Sequence, residues 1–183
     1  MKAILMSIRP EWVAKILNGE KTIEIRKKFP KDYVGWVYVY CTKDRPYLTR
    51  GVRGDVYPSC VSSQGIVPHH LNSRVVARFW CDRVEEHRPF FHWCIEKETC
   101  LTRDDVLDYL DSKDKSVGNP KRQGKVYAIH ITKLEIFDKP KEIKDFSVYS
   151  HSIIGTNIQG ETTSFKILKP LSCAPQSWCY IYE

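Results

Sequence analysis

Residues 2–28 constrain the fold more than any other stretch, because each boundary in them has its own chemical cause. Lys2 to Ile8 is a β-branched and apolar run of strand length. Pro10 then supplies a helix start, since its fixed φ and missing N–H cost nothing at the first helical position. In PEWVAKILNG, Trp12 and Ile16 are four apart, as are Val13 and Leu17, which lays an apolar stripe along a short helix. Asn18-Gly19 ends it, glycine being free to take the left-handed conformation just past a helix. KTIEIRK follows as a strand with strict alternation, Ile23 and Ile25 on one face and Thr22, Glu24 and Arg26 on the other. The chain therefore opens strand, helix, strand.

The same criteria carry on along the chain. Val34–Thr42 (VGWVYVYCT) and Arg74–Val84 (RVVARFWCDRV) are rich in aromatic and β-branched residues and read as strands. Between them, 43–73 is rich in glycine and proline with little periodicity and reads as an insertion, with a short strand at Gly51–Tyr57. Thr102 is an N-cap candidate with Asp104 and Asp105 in the first turn behind it, so Leu101–Leu110 reads as a helix. KDKSVGNPKRQG is a loop, Lys125–Phe137 one long strand, Pro140–Phe146 a single helical turn, and Trp178–Tyr182 a closing strand. Residues 150–172 read as irregular, and 148–172 as a variable segment. About six strands and two helices imply an α+β fold, a small, mainly antiparallel barrel or curled sheet flanked by short helices. A length of 183 residues suits one domain, 1–183.

Composition narrows the function classes. The 42% apolar and 28% charged residues are those of a globular protein. No stretch approaches the roughly 20 apolar residues that span a bilayer, so no membrane partner is expected. The first apolar run is broken by Ser7, Arg9 and Pro10 and lacks a small-residue cleavage site, so it reads as a strand and the expected location is cytoplasmic. Seven cysteines, an odd number with no CxxC pair, imply reduced thiols, and neither a zinc ribbon nor any other metal site or cofactor is called for. His69 and His70 near Cys60 are the nearest approach to a ligand set. The net charge of +7 favours polyanionic partners, and basic clusters lie at Lys27-Lys28-Lys31, Arg45–Arg53 and Lys113–Lys125. No helix-turn-helix, zinc finger or phosphate-cradling GxxxxGK loop is present, so specific duplex-DNA reading is not expected. The oligomeric state is open.

The segment NGEKTIEIRK, as Gly19, Lys21, Glu24 and Arg26, fits the GxKxxExR pattern of ASCH domains. SIRPEWVAKILNGEKTIEIRK resembles the opening of a group of bacterial and phage ASCH proteins. RVVARFWCDRV, TCLTRDDVLDYL, YAIHITKLEIFDKPKEI and PQSWCYIYE are similar to further blocks of that group, in the same order. The resemblance leaves out 43–73 and most of 148–172. It implies a PUA-like barrel with a cleft beside the first helix, where related domains bind RNA or a modified nucleotide. Some small members deacetylate N4-acetylcytidine, with a lysine matching Lys21 and a threonine where this chain has Glu24, and others are linked to RNA cleavage. Their later glutamate has no assigned match here, although Glu96 and Glu98 are nearby. A carboxylate in place of a hydroxyl nucleophile does not carry over the same covalent chemistry.

Glu24 and Arg26, two apart on a strand, point to one side and can share a polar cleft. Arginine suits a phosphate, and glutamate suits a base amino group or general-base work. The alternative is an ion pair on a solvated face. Ideal strand geometry puts Lys21 with Ile23 and Ile25, unless its place just after the Gly19 turn sends it into the cleft beside Glu24. If the protein is an enzyme, Lys21 and Glu24 are the catalytic candidates. Ser7 and Arg9 border the same region, Arg9 as a phosphate contact. Trp178 and Tyr180 offer stacking planes or packing, Trp12 reads as core, and His130 as a hydrogen-bonded core histidine. The expected partner is RNA, a nucleoside or a nucleotide.

Overall fold

The computed structural model describes residues 2–51, 53–58, 70–88, 94–111, 124–156 and 162–182. Strand β1 (Lys2–Ile8), helix α1 (Pro10–Leu17) and strand β2 (Ile23–Arg26) form the expected opening. Then come β3 (Gly35–Cys41), β4 (Leu48–Arg50), β5 (Val56–Pro58), β6 (Arg74–Cys81) and β7 (Val84–His87). Two helices, α2 (Glu96–Thr99) and α3 (Arg103–Asp111), precede β8 (Val126–His130) and β9 (Thr132–Lys141). A 3-10 turn at Ile143–Asp145 leads into β10 (Ser147–Thr156), β11 (Thr162–Pro170) and β12 (Trp178–Tyr182).

These strands make three sheets, ordered β11-β10-β12-β1-β3-β6-β9, β2-β8-β7 and β4-β5. Pairing is antiparallel throughout except for β1 with β3, which run parallel from Ile4↔Val37 to Ile8↔Cys41. A parallel pair needs a crossover, and α1 with β2 supplies it. The fold is thus α+β with sheet predominating, while none of the three sheets closes on itself among the described residues.

Residues 3–6 of β1 are continuously apolar because they are buried on both faces. Ile4, Met6 and Ile8 join one core cluster with Val13, Ile16, Val37, Val39, Phe79 and Ile129. Ala3 and Leu5 join a second, on the opposite face, with Tyr38, Val75, Phe146 and Ile181. A smaller cluster of Ile23, Ile25, Val106, Val126 and Ala128 lies between the three-stranded sheet and α3. Each such fully buried aliphatic side chain stabilises the fold by about 1.5–3 kcal/mol.

Several sequence expectations are corrected. Lys125–Phe137 is two strands. The chain leaves the small sheet after His130 and enters the large one at Thr132, with the Ile131 N–H donating to the Thr22 carbonyl at 2.9 Å and Lys133 at φ +44°. Arg74–Val84 likewise changes sheet after Cys81. Within 150–172, residues 150–156 and 162–170 are strand and not irregular, since β10 and β11 pair from Ser147↔Pro170 to Thr156↔Thr162. The 43–73 insertion holds the β4–β5 hairpin, which Asn72 holds in place through its Oδ1 on Leu48 N at 2.8 Å and its Nδ2 on the carbonyls of Asp44 and Pro46.

Candidate functional site

The end of α1 aims the site. Asn18 is the C-cap and Gly19 follows at φ +75°. The Gly19 N–H donates to the Ile16 carbonyl at 3.0 Å and the Glu20 N–H to the Lys15 carbonyl at 2.9 Å, the paired bonds of a Schellman motif. Asn18 adds two side-chain bonds of 2.9 Å to the backbone of Val56, tying the helix end to β5. Lys21 N–H also donates to the Lys15 carbonyl, at 3.1 Å. Lys21 is therefore held in the turn and lies outside β2, which begins at Ile23, so ideal strand alternation does not govern it.

Its side chain turns inward to meet Glu24. Lys21 Nζ lies 3.5 Å from Glu24 Oε2 and donates to the Thr99 carbonyl at 2.5 Å. It also sits 5.2 Å over the Trp12 ring. The other carboxylate oxygen, Oε1, meets Arg26 Nη1 at 2.5 Å. Arg26 Nη2 donates to the Ser7 carbonyl at 2.7 Å, tying β2 to the end of β1. Lys21 and Glu24 are 2% and 3% exposed, so the solvated strand face is excluded. Arg26 is the more open member, its side chain 13% exposed. Its Nε has no hydrogen-bond partner among the described residues.

Two cations share one carboxylate here, leaving a net positive charge in a nearly dry site. Burial pushes the Lys21 ammonium below the ordinary lysine value of 10.5, while Glu24 and then Cys100 pull it back up. Such a group can lose its proton more readily than a surface lysine and serve as a base or nucleophile. With its proton, it adds to Arg26 as an anion contact.

The remaining predicted residues are placed with different roles. The Ser7 hydroxyl donates to the Pro175 carbonyl at 2.6 Å and so fastens the C-terminal approach, while its own carbonyl receives Arg26. Arg9 is exposed at the N-cap of α1, its carbonyl accepting from Trp12 and Val13 at 3.0 Å. Trp178 is a latch, donating Nε1–H to the Lys28 carbonyl at 2.7 Å and packing edgewise on Phe29 and Tyr180. His130 is partly buried, its side chain 14% exposed. Its Nε2 stands 3.5 Å from Glu85 Oε1 and makes no hydrogen bond among the described residues.

Sequence reasoning missed α2. Its last residue, Thr99, is fully buried, receives Lys21 on its carbonyl, and donates its hydroxyl to the Ile95 carbonyl at 2.6 Å. Glu98 contributes only a backbone carbonyl, to Thr22 N–H at 2.9 Å, among the bonds that join α2 to the site. The Glu96 carboxylate turns to the Arg103 N–H. Backbone acceptors leave no signature in a sequence, so nothing in the residue types pointed to Thr99.

No family model matches this sequence, and no curated protein matches it. Solved structures do. A serine-to-alanine variant of the ASCH protein from Zymomonas mobilis superposes with a TM-score of 0.54 at 15% identity, covering 99% of this chain and 89% of that one. The ASCH structure from the same organism gives 0.50 at 17% identity, covering 77% of this chain and 73% of that one. The chain has the ASCH fold. At these identities the likeness speaks to the fold alone.

Within this ASCH fold, the described residues contain no group of three or more His, Cys, Asp or Glu arranged to hold a metal ion. Cys60 and His69 lie outside the described residues, as do 112–123 of the basic loop. No helix among the described residues is long and apolar enough to cross a membrane. The basic cluster around Lys27 is largely engaged. Lys27 donates to the Leu110 carbonyl at 3.2 Å, and Lys31 and Lys125 both pair with Glu86, at 2.8 and 3.0 Å.

Proposed function

We propose that this is a cytoplasmic RNA- or modified-nucleotide-binding protein, a single PUA-like domain with its polar cleft at Lys21, Glu24 and Arg26. Ser7 and Arg9 border the cleft and Trp178 backs it. The observation that carries this reading is the imbalance of the buried cluster, two cations on one carboxylate with the guanidinium nearest the solvent. A phosphate entering there meets a preformed positive charge whose desolvation has already occurred on folding. The ASCH fold agrees with the reading without identifying the ligand.

The test is a titration of short single-stranded RNA at two salt concentrations against wild type, Lys21→Met and Arg26→Ala. Saturable binding that survives near-physiological salt and is lost in both variants supports the cleft. Equal binding by all three, abolished by salt, means that only the net charge of +7 was measured, and the reading falls.

One observation favours a second reading, hydrolysis of an acylated nucleoside. The lowered proton affinity of Lys21 beside Glu24 suits a base that takes a proton from water. Water would add to the acyl carbon of N4-acetylcytidine and the C–N bond would break, giving cytidine and acetate. Chromatographic assay of that conversion, with Lys21→Met as control, decides it. Absence of turnover in the wild type removes the hydrolase.

A further inference from the structure

The face of the large sheet opposite the cleft carries two tryptophans that the core does not fully bury. Trp36 on β3 is paired directly with Trp80 on β6, so both rings leave the same face, 5.4 Å apart and edge to face. Alternation along β3 puts Val37 and Val39 in the cluster that Trp12 and Trp178 border, and Trp36 and Tyr38 on the other side. Trp36 only flanks that second cluster, and Trp80 belongs to none of the three. Both are only partly buried. A side chain with this much apolar surface is normally drawn inward.

Cations lie on these rings. The Arg78 guanidinium sits 4.1 Å over Trp36, steadied by Glu135 at 2.7 Å and the Tyr38 hydroxyl at 3.2 Å. The exposed Lys133 ammonium lies 5.8 Å over Trp80, and the exposed Lys141 ammonium 4.9 Å over Phe137. The surface thus presents an indole, a planar guanidinium held on a second indole and paired with Glu135, and the exposed ammonium groups of Lys133 and Lys141. Bases stack on indole and guanidinium planes whatever their identity, and phosphates take lysines.

We propose that the Trp36–Arg78–Trp80 face is a second contact surface, a stacking platform for single-stranded nucleic acid. One base takes the Trp80 ring face from the Lys133 ammonium, its neighbour lies on the Arg78 plane, and the displaced Lys133 meets the phosphates with Lys141. The inference goes beyond the cleft reading and stands without it. Charge complementarity selects a nucleic acid strand over an apolar protein partner, because the rings lie under cations rather than in a bare patch.

The test uses the full chain with labelled oligouridylate and its deoxy counterpart, about ten nucleotides long, followed by anisotropy at low and near-physiological salt. Trp80→Ala should weaken binding by about 5- to 100-fold and Trp80→Phe by less than about threefold. Lys133→Glu should weaken it and flatten the salt dependence. Binding of RNA alone, or of RNA and DNA equally, supports the platform and reports whether the 2′-hydroxyl takes part. If Trp80→Ala does not fold by circular dichroism, Lys133→Glu decides: loss supports the platform, and unchanged binding overturns it. Lys21→Met and Arg26→Ala run alongside. Loss in those two with wild-type affinity in Trp80→Ala and Lys133→Glu overturns the platform and leaves the cleft. The reverse pattern supports the platform and removes the cleft. No binding of either oligonucleotide by the wild type overturns it outright.

Discussion

Replacing Glu24 by glutamine keeps the shape of the cluster and removes its only negative charge. At 3.5 Å the Lys21–Glu24 attraction amounts to about 5 kcal/mol at an effective dielectric of 20, and the Arg26 contact adds a comparable amount. Each ion has also lost several kcal/mol of hydration, so the intact cluster contributes little net stability. Removing the carboxylate leaves that hydration loss uncompensated for two cations, and the expected destabilisation is about 3–5 kcal/mol. Lys21 has an escape, which is to give up its proton. Its folded-state affinity is already below the unfolded value of 10.5, so the unfolded chain binds more protons and stability rises with pH toward that value. Without Glu24, whose pull opposes the burial, this rise should start at lower pH and be larger. Urea unfolding of wild type, Glu24→Gln, Lys21→Met and the double variant between about pH 6 and 9 measures both effects. The double variant should be at least about 1 kcal/mol more stable than Glu24→Gln at the acid end, because one stranded charge is gone. If Glu24→Gln falls within about 0.5 kcal/mol of wild type at every pH, the cluster is not dry and the reasoning is refuted.

Gly19→Ala should cost about 1–2 kcal/mol. Its φ of +75° disfavours a Cβ although no atom lies within 4 Å of where one would sit, and Gly19→Asn should cost less, both read from urea midpoints. Trp178→Phe removes the N–H that holds the Lys28 carbonyl and should destabilise by about 1–2 kcal/mol, with faster amide exchange confined to the residues around Lys28. Burial pushes the Cys41 and Cys81 thiols up to about 12, so an alkylating agent at about pH 8 should leave both unmodified in the folded protein while labelling exposed Cys94 and Cys173, as peptide mapping will show.

What the sequence made legible follows from which interactions leave a pattern in residue types. The opening strand, helix and strand were readable because Pro10, Asn18 and Gly19 act locally and β1 is buried on both faces. The β10–β11 hairpin was not. Its ladder is made of backbone bonds, and Tyr149 and Leu168 are each 48% exposed, so these two apolar positions follow no burial period. The sheet change after His130 was hidden for the opposite reason, as apolar Ile131 follows it directly, whereas at Cys81 the polar pair Asp82-Arg83 does mark the break. In the site, the pairing of Glu24 with Arg26 followed from strand alternation. Lys21 did not, because its direction is set by the Schellman motif and by the carbonyl of Thr99, and both act through the backbone.

That arrangement bears on why the three charges are there at all. An apolar trio of similar volume at 21, 24 and 26 would hold β2 against the core as well or better, since replacing a buried ion cluster by packed hydrocarbon is often neutral or stabilising by about 1–4 kcal/mol. Stability alone therefore does not account for the cluster. Nor does local folding, because the Schellman motif and the β2–β8 ladder are made by backbone atoms and would persist without it. What the charges add is a fixed electrostatic pattern, a carboxylate gripped from two sides with a guanidinium at the more open edge. A preformed pattern of that kind matters to a ligand, which meets oriented groups and need not reorganise them. The stability cycle on Glu24 and the binding assays on Lys21 and Arg26 therefore examine one property from two sides, and a cluster that is dry in the first should discriminate in the second.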